Sequence, residues 1–374
     1  GNKKITLTLG GFVMPTAILI KADGSVDPPE APIQRDGNLY TLTDDIYLPI
    51  VVERDNIVVD GAGYALQGTG SEDGIYLSDR NNVTIKNMEI KAFDYIGIHL
   101  DNSSKNIISG NKITNNLYGI RLENLSNANT ISGNNITANE WIGIWLVNSS
   151  DNTVSGNTIT NNDYGIYLEE SSNNLVYHNN FINNTQQVYM ATSGYANFWN
   201  NSVEGNYWSN YTGLDLDHDG IGDSEHQIDA DNVDYKPLMG RFHSFNTSLE
   251  LRVNVISNST IDKFQYFESN STIKMYVSNM TATQTYGFCR ICIPKALMSV
   301  SNLLVIIDDG LTPVLYHDYT LYDNGTHRWI YFAYPHSTRE IDIIPELPSL
   351  IILSLLMIAA LLTAIVYRRK LRIT

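Results

Sequence analysis

Apolar residues recur through the middle of the chain in a short motif, Gly-Ile-x-Leu, that begins at nearly constant intervals. The motif starts at Gly74, Gly97, Gly119, Gly143 and Gly165, and a degenerate copy covers Gln187 to Met190. Intervals of 22 to 24 residues are too short for a pair of helices and carry no leucine-rich pattern, so each repeat is expected to be one coil of a β-solenoid. The pattern predicts an all-β fold, a right-handed parallel β-helix.

Each repeat also contains two apolar residues five positions apart, as in Ile108 and Ile113 or Ile131 and Ile136. Coils that stack about 4.8 Å apart place equivalent residues over one another. Asparagines then form two predicted columns: Asn111, Asn134, Asn157 and Asn179, and Asn116, Asn139, Asn162 and Asn184. Asparagine tolerates turns and hydrogen-bonds nearby backbone, so the architecture accounts for its unusual frequency.

The x residue of the motif is expected to point outward, because the Ile and Leu that flank it point inward. The predicted ligand-binding row is Tyr76, His99, Arg121, Trp145, Tyr167 and Tyr189. Two positions further along each strand, an acidic edge includes Asp101, Glu123 and Glu169. Aromatic faces beside hydrogen-bonding groups suit a sugar ring. In the alternative interpretation, these large side chains merely cover the sheet.

The same carboxylates are the candidates for catalysis. Hydrolysis of a glycosidic bond needs two carboxyl groups at a defined separation, one of them tuned as an acid. Asp101 with Glu123, or Glu123 with Glu169, would fit this requirement. The chain has no run that resembles the paired-aspartate and His-Gly motifs of pectinases, so no catalytic residue is assigned and a non-catalytic protein is favoured.

A metal site is predicted after the repeats. The frame D-x-D-x-D-G-x-x-D places Asp215, Asp217, Asp219 and Asp223 around the turn at Gly220, with the carbonyl of Ile221 as a further ligand. Hard oxygen ligands of this kind suit Ca²⁺ in a structural role. The twelfth position is His226 rather than glutamate, so this is not a complete EF-hand loop. The alternative is a solvated acidic loop.

From residue 241 the repeat gives way to alternating apolar and polar runs, such as LELRVNVIS and TIKMYVS. These runs predict a β-sandwich over residues 241–344. Cys289 and Cys292 lie in one of the strands and are expected to be packed thiols, because residues three apart in a strand point to opposite faces.

The end of the sequence predicts membrane anchorage. Residues 345–367 are apolar enough to cross a bilayer as one helix, and the basic tail 368–374 follows directly. The positive-inside rule places that tail in the cytoplasm and the rest of the chain outside the cell. Residues 1–20 are interpreted either as the remnant of a signal peptide or as a first strand.

An extracellular location agrees with the many Asn-x-Ser/Thr acceptors. The predicted glycosylation sites are Asn82, Asn102, Asn124, Asn135, Asn148, Asn183, Asn200, Asn210, Asn246, Asn258, Asn270, Asn279 and Asn324. A formal net charge of −16 excludes nucleic acid as a partner, since phosphate binding requires clustered Lys and Arg.

The run GIWLVNSSDNTVSGNTITNNDYGIYLEESSNN resembles the β-helix repeats of NosD-like proteins and of other carbohydrate-binding or sugar-hydrolase β-helices. The segment GNYWSNYTGLDLDHDGIGD, followed by DYKPLM, is similar to the end of many archaeal NosD-like helices. The resemblance covers roughly residues 50–240. It implies copper handling, but the eight histidines are mostly scattered, whereas copper prefers clustered His, Met or Cys ligands.

The sequence therefore predicts a β-helix with its N-terminal cap over residues 21–212, closed by the acidic loop 213–240. The favoured function is a membrane-anchored surface protein that binds glycans or envelope proteins, or has a structural role in the cell envelope. The alternative is a membrane-tethered glycoside hydrolase or polysaccharide lyase, and a copper-handling accessory protein is the least favoured.

Overall fold

The computed structural model describes residues 8–9, 12–13, 16–70, 72–299, 302–308, 314–316, 320–335 and 338–346. These ranges form two compact units, one up to His243 and one from Ser244 onward. The described ranges hold no helix long and apolar enough to cross a bilayer. The predicted membrane span lies outside them, apart from Pro345 and Glu346, and Pro345 ends a strand.

The first unit is built from three sheets, to which each coil contributes one strand. Sheet 1 contains nine strands: Ile18–Ile20, Val26–Asp27, Ile50–Val52, Ile75–Ser78, Ile96–Asp101, Tyr118–Glu123, Ile142–Val147, Tyr164–Glu169 and Gln186–Met190. Sheet 2 contains eight: Ile33–Asp36, Leu39–Leu42, Ile57–Asp60, Val83–Lys86, Ile107–Ser109, Thr130–Ser132, Thr153–Ser155 and Leu175–Tyr177. Sheet 3 contains seven: Ala65–Gln67, Glu89–Lys91, Lys112–Thr114, Asn135–Thr137, Thr158–Thr160, Asn180–Ile182 and Tyr207–Trp208.

The strands of successive coils pair in parallel and in register, so the predicted β-solenoid is confirmed. Ile98 pairs with Ile120 and Leu100 with Leu122, and their side chains are fully buried in the interior. The glycine that opens each motif is needed because the next coil passes very close. A Cβ on Gly119 would lie 2.5 Å from the carbonyl oxygen of Gly143, a separation that only glycine tolerates.

Buried asparagines connect the coils, as the sequence predicts. The N–H of Asn134 donates to Oδ1 of Asn157 at 2.9 Å, and the N–H of Asn157 donates to Oδ1 of Asn179 at 3.0 Å. The column through Asn116 and Asn139 has the same geometry. A third ladder, which the sequence reading missed, consists of Asn106, Asn129, Asn152, Asn174, Asn197 and Asn232.

In each ladder, an asparagine donates its N–H to the asparagine side chain of the next coil. The last asparagine of the ladder therefore needs a different acceptor. Asn206 donates its N–H to Oδ2 of Asp234 at 2.8 Å, and Asn184 donates its amide to Oε1 of Gln187 at 2.8 Å. Two buried tryptophans close the core beside these ends. Nε1 of Trp208 donates to Asp234 at 2.9 Å, and Nε1 of Trp199 donates to Asn232 at 3.0 Å.

The second unit contains two five-stranded antiparallel sheets, a β-sandwich-like arrangement. One has the strands Arg241–Asn246, Arg252–Ser257, Tyr286–Pro294, Thr320–Asp323 and His327–Pro335, and the other Thr260–Phe267, Thr272–Ser278, Leu303–Asp308, Val314–Tyr316 and Arg339–Pro345. Alternate residues from both sheets form a common apolar core. Cys289 and Cys292 are both buried, and burial raises the pKa of Cys289 to about 11.

Short elements complete the chain: the antiparallel pairs Thr8–Leu9 with Phe12–Val13 and His226–Gln227 with Val233–Asp234, and the 3₁₀ turn Glu268–Asn270.

Interrupting a ladder should cost far more than removing an exposed asparagine. Asn157 accepts two hydrogen bonds from Asn134 and donates to Ile131 and Asn179. Asn157→Ala leaves several buried groups unpaired, so the free energy of unfolding should fall by about 3 kcal/mol. Asn135→Ala, one residue from the ladder but exposed, should change it by less than about 0.5 kcal/mol. Equal losses in urea denaturation would contradict a role of the ladder in stability.

Asp234 should make stability depend on pH. Burial raises the pKa of Asp234 to about 6 although four N–H groups donate to it, so the folded state holds a proton that the unfolded chain releases near pH 4. Its stabilising contribution is complete below pH 4 and is lost as the pH rises through 6, by up to about 3 kcal/mol. Urea denaturation of wild type and Asp234→Asn between pH 4 and 7 measures this; a constant difference between them would contradict it.

Candidate functional site

The six predicted ligand-binding residues form one file on the outer surface of sheet 1. Register pairs each with the next along the coils: Tyr76 with His99, His99 with Arg121, Arg121 with Trp145, Trp145 with Tyr167, and Tyr167 with Tyr189. We call this set the outer file. The predicted acidic edge runs beside it, since Asp101 pairs with Glu123.

The C-terminal half of the outer file is aromatic and continuous. The rings of Trp145 and Tyr167 lie 5.7 Å apart, and those of Tyr167 and Tyr189 lie 4.9 Å apart. The guanidinium of Arg121 covers the Trp145 ring at 4.2 Å, a cation–π contact. The aromatic surface therefore ends at a charged side chain.

A second outward-facing file was missed by the sequence reading. It contains Ile96, Tyr118, Ile142 and Tyr164, which pair in that order and lie three residues before the outer file along the chain. Tyr118 packs on Trp145 at 5.1 Å, and Tyr164 on Tyr189 at 5.3 Å. The signal was present in the sequence, because each of these residues directly precedes the glycine of a repeat.

The N-terminal half of the outer file is a charged network around His99. Nδ1 of His99 lies 2.7 Å from Asp73, and Nε2 lies 2.8 Å from Oε1 of Glu123. The other oxygen of Glu123 lies 2.6 Å from Nη2 of Arg121. Asp73 was not among the predicted residues, although it also directly precedes a motif glycine.

The carboxylates of Asp73 and Glu123 favour the charged form of His99. Burial alone would lower its pKa, but the hydrogen bonds and charges of Asp73 and Glu123 outweigh burial and raise the pKa above the ordinary value. Only the imidazolium can donate from both nitrogens. The network therefore joins His99 and Arg121 to two carboxylates across three coils.

The three carboxylates considered for catalysis have different surroundings. Glu123 is bound by two cations, which does not favour a proton-donating acid. Asp101 accepts hydrogen bonds from Tyr76 at 3.3 Å and from Asn124 at 2.8 Å. Glu169 pairs with Val147, so its neighbour on the preceding coil is not a carboxylate.

The acidic loop brings three of its predicted ligands together. One carboxylate oxygen each from Asp215, Asp217 and Asp219 lie within 4.8 Å of one another. Burial raises the pKa of Asp215, although the N–H groups of Asp219 and Gly220 oppose the shift. Asp223 instead accepts the N–H of Leu216 at 2.5 Å, and the N–H of Ile221 donates to Asp219 at 2.8 Å. Calcium binding stays a prediction.

Copper fits the described residues poorly. Within the described ranges, the one convergent group of three His, Cys, Asp or Glu side chains is this carboxylate cluster, and copper prefers imidazole and sulfur ligands. Both ring nitrogens of His99 contact carboxylates, and Nε2 of His178 lies 2.8 Å from Glu204.

The thirteen predicted glycosylation asparagines all lie within the described ranges, and none is buried. The ladder asparagines, by contrast, are buried, and none of them is the acceptor of such a triplet. Asn102, Asn124 and Asn148 occupy equivalent left-handed positions just after their sheet 1 strands. Their modification stays a prediction.

Calcium should stabilise the protein if the acidic loop is a metal site. Ca²⁺ at 100 times its Kd should add about 2.7 kcal/mol to the free energy of unfolding, and EDTA should reverse the gain. Asp217→Asn should abolish the effect, because Asp217 is an exposed member of the cluster, whereas Asp231→Asn outside it should not. Thermal denaturation provides the measurement, and equal Tm values with calcium and with EDTA would remove the metal site.

One family model matches the part of the chain that forms the β-helix. The family model described as periplasmic copper-binding protein (NosD) matches residues 42–213, and no curated protein matches the chain. The Dettilon tailspike protein (gp208) shares 14% identity over 80% of this chain and 65% of its own, with a TM-score of 0.37. The enzymatically active domain of bacteriophage CBA120 tailspike protein 2 shares 13% identity over 79% of this chain and 53% of its own, with a TM-score of 0.28.

A tailspike of E. coli bacteriophage HK620, solved in complex with a pentasaccharide, shares 9% identity over 82% of this chain and 72% of its own, with a TM-score of 0.23. The chain spans less than two thirds of the length of the first two tailspikes. The family match, by contrast, coincides with the stacked coils. The part of the chain that is similar to the NosD family is thus the parallel β-helix, residues 42–213.

Proposed function

We propose that the outer face of sheet 1 binds glycans without cleaving them. The observation that carries this proposal is the continuous aromatic surface from Trp145 to Tyr189, which adjoins the charged network of His99, Arg121 and Glu123 on the same face. A sugar ring presents apolar C–H groups on its face and hydroxyl groups at its rim, so it can use both surfaces together.

The repeat of the fold suits an extended polymer. The coils are about 4.8 Å apart, and each adds one residue to the outer file and one to the file that contains Tyr118. A glycan chain that lies along the coil axis would meet aromatic rings on three successive coils before it reaches Arg121. The rigid stacking of the coils fixes this surface in advance, which lowers the entropy cost of binding.

We also propose that the protein acts at the cell surface, held by the predicted helix in 345–367. The apolar segment with its basic tail and the thirteen exposed or half-buried glycosylation triplets support this location. The partners would then be glycans or other components of the cell envelope.

A membrane-tethered carbohydrate-active enzyme is the second candidate. It is favoured by one observation, the pairing of Asp101 with Glu123 on adjacent coils. Binding is preferred over hydrolysis because both oxygens of Glu123 already contact cations.

Removing the aromatic surface should weaken glycan binding. Trp145→Ala and Tyr167→Ala should each lower the affinity for bound polysaccharides about tenfold, which corresponds to ~1.4 kcal/mol. Tyr235→Ala, which removes an exposed aromatic ring outside the outer face, is the matched control and should bind normally. A glycan array with the whole chain identifies the ligands, and isothermal titration measures their affinities.

Two outcomes would contradict the proposal. If wild type and Trp145→Ala bind every ligand equally, the aromatic surface is not the site. If wild type releases new reducing ends from a bound polysaccharide and Glu123→Gln does not, the protein is the enzyme of the second candidate.

A further inference from the structure

Successive coils make the turn from sheet 3 into sheet 1 with different numbers of residues. The ladder hydrogen bonds identify the equivalent residues at which this turn starts in successive coils: Phe93, Asn116, Asn139 and Asn162. Sheet register aligns Ile96, Tyr118, Ile142 and Tyr164 at its end. The coils that start at Phe93 and Asn139 therefore have two residues in the turn, whereas the coil at Asn116 between them has only one.

The short turn leaves a notch of about 430 Å³ in the wall of the β-helix. Leu117 is the single residue of the short turn and lines the notch. Asp94 and Glu140, one from each of the longer turns, line its two sides. Their coils are two steps apart, which separates the two turns by about 9.6 Å.

Each of the two longer turns contains an acidic residue followed by an aromatic one: Asp94 with Tyr95, and Glu140 with Trp141. The rings of Tyr95 and Trp141 are 40% and 49% exposed. Tyr118 lies between them, with its ring 5.6 Å from Tyr95 and 5.9 Å from Trp141. An aromatic edge thus connects the notch to Trp145 in the outer file, because Tyr118 also packs on Trp145.

The charge of the notch is not neutralised by the protein. In the described part of the chain neither Asp94 nor Glu140 forms an ion pair, and no Lys or Arg lines the notch. Two exposed carboxylates that face a common space repel an anionic ligand and attract a cation. Uronic acids and sulfated sugars are therefore disfavoured in the notch.

We propose that the notch binds one hexosamine unit of a glycan, with its protonated amine between Asp94 and Glu140. This inference rests on the proposed function, because the rest of the glycan would continue over Tyr118 onto the outer file. The notch then selects the type of sugar, while the aromatic surface supplies affinity that depends little on sugar identity.

A pair of ligands that differ at the amino group tests this assignment. The probes are a hexamer of glucosamine and a hexamer of N-acetylglucosamine, which share one backbone and differ in the amine. Wild type should bind the glucosamine hexamer at least tenfold more tightly in isothermal titration at low ionic strength. The preference should shrink in 0.5 M NaCl, because salt screens exposed charges.

The matched variants are Asp94→Asn with Glu140→Gln, and as a control Asp151→Asn with Glu170→Gln, which removes two exposed charges elsewhere. The notch variant should lose the preference between the hexamers and the control should keep it. Leu117→Trp should fill the notch and weaken binding of the glucosamine hexamer about tenfold, and circular dichroism checks that each variant is folded.

The possible results separate the two proposals. If the notch variant keeps the preference while Trp145→Ala loses binding, the notch assignment is wrong and the outer file is still the glycan site. If wild type binds the N-acetylated hexamer equally well or better, the notch assignment is likewise wrong. If wild type binds no glycan on the array, the proposed function fails and the notch assignment fails with it.

Discussion

The structure depends on one constraint: each buried polar group in a coil must find its hydrogen-bond partner in the coil that follows. An asparagine side chain satisfies this condition because it offers both a carbonyl and an amide. In the column through Asn134 and Asn157, the carbonyl accepts from one coil and the amide donates to its neighbours on both sides. Leaving such groups unpaired in the interior would cost about 1–3 kcal/mol each, so the ladder constrains sequence as strongly as the apolar core does.

The ladder leaves the outer surface free for other tasks. Since asparagines and inward-facing Ile and Leu determine the coil, the x position of each motif is not needed for folding. Sheet 1 uses this freedom to collect three aromatic residues at one end of the outer file and the network of His99 at the other. Where a turn is shortened at Leu117, the wall gains a notch without any change in the ladder below it.

Periodicity made much of this arrangement predictable. The spacing of the Gly-Ile-x-Leu motif correctly placed every member of the outer file in register, because stacking along the axis follows directly from repeat length. Contacts between residues that do not stack directly over one another could not be predicted from the repeat length. Asp73 lies in a turn and contacts His99 in the next coil. The file through Tyr118 depends on contacts between side chains at neighbouring positions on one face.

The turns and ends were equally hard to predict, because they depart from the repeat. The extra residues Tyr95 and Trp141 look like irregular spacing in the sequence, and Asp234 lies far beyond the last motif although it ends a ladder. The calcium loop, the membrane span and the glycosylation sites rest on local sequence patterns and stay predictions.

The final motif, at Gln187, lacks the glycine of the others, and the structure explains why. Each motif glycine makes room for the backbone of the next coil, as Gly165 does for Gln187, and no further motif coil follows Gln187. The glycine therefore belongs to the junction between two coils rather than to the coil itself. A gain or loss of whole coils in the middle of the helix would leave the terminal tryptophans and Asp234 unaltered. The length of the outer file can thus vary in steps of about 4.8 Å through the gain or loss of whole coils, while the two ends of the helix stay the same.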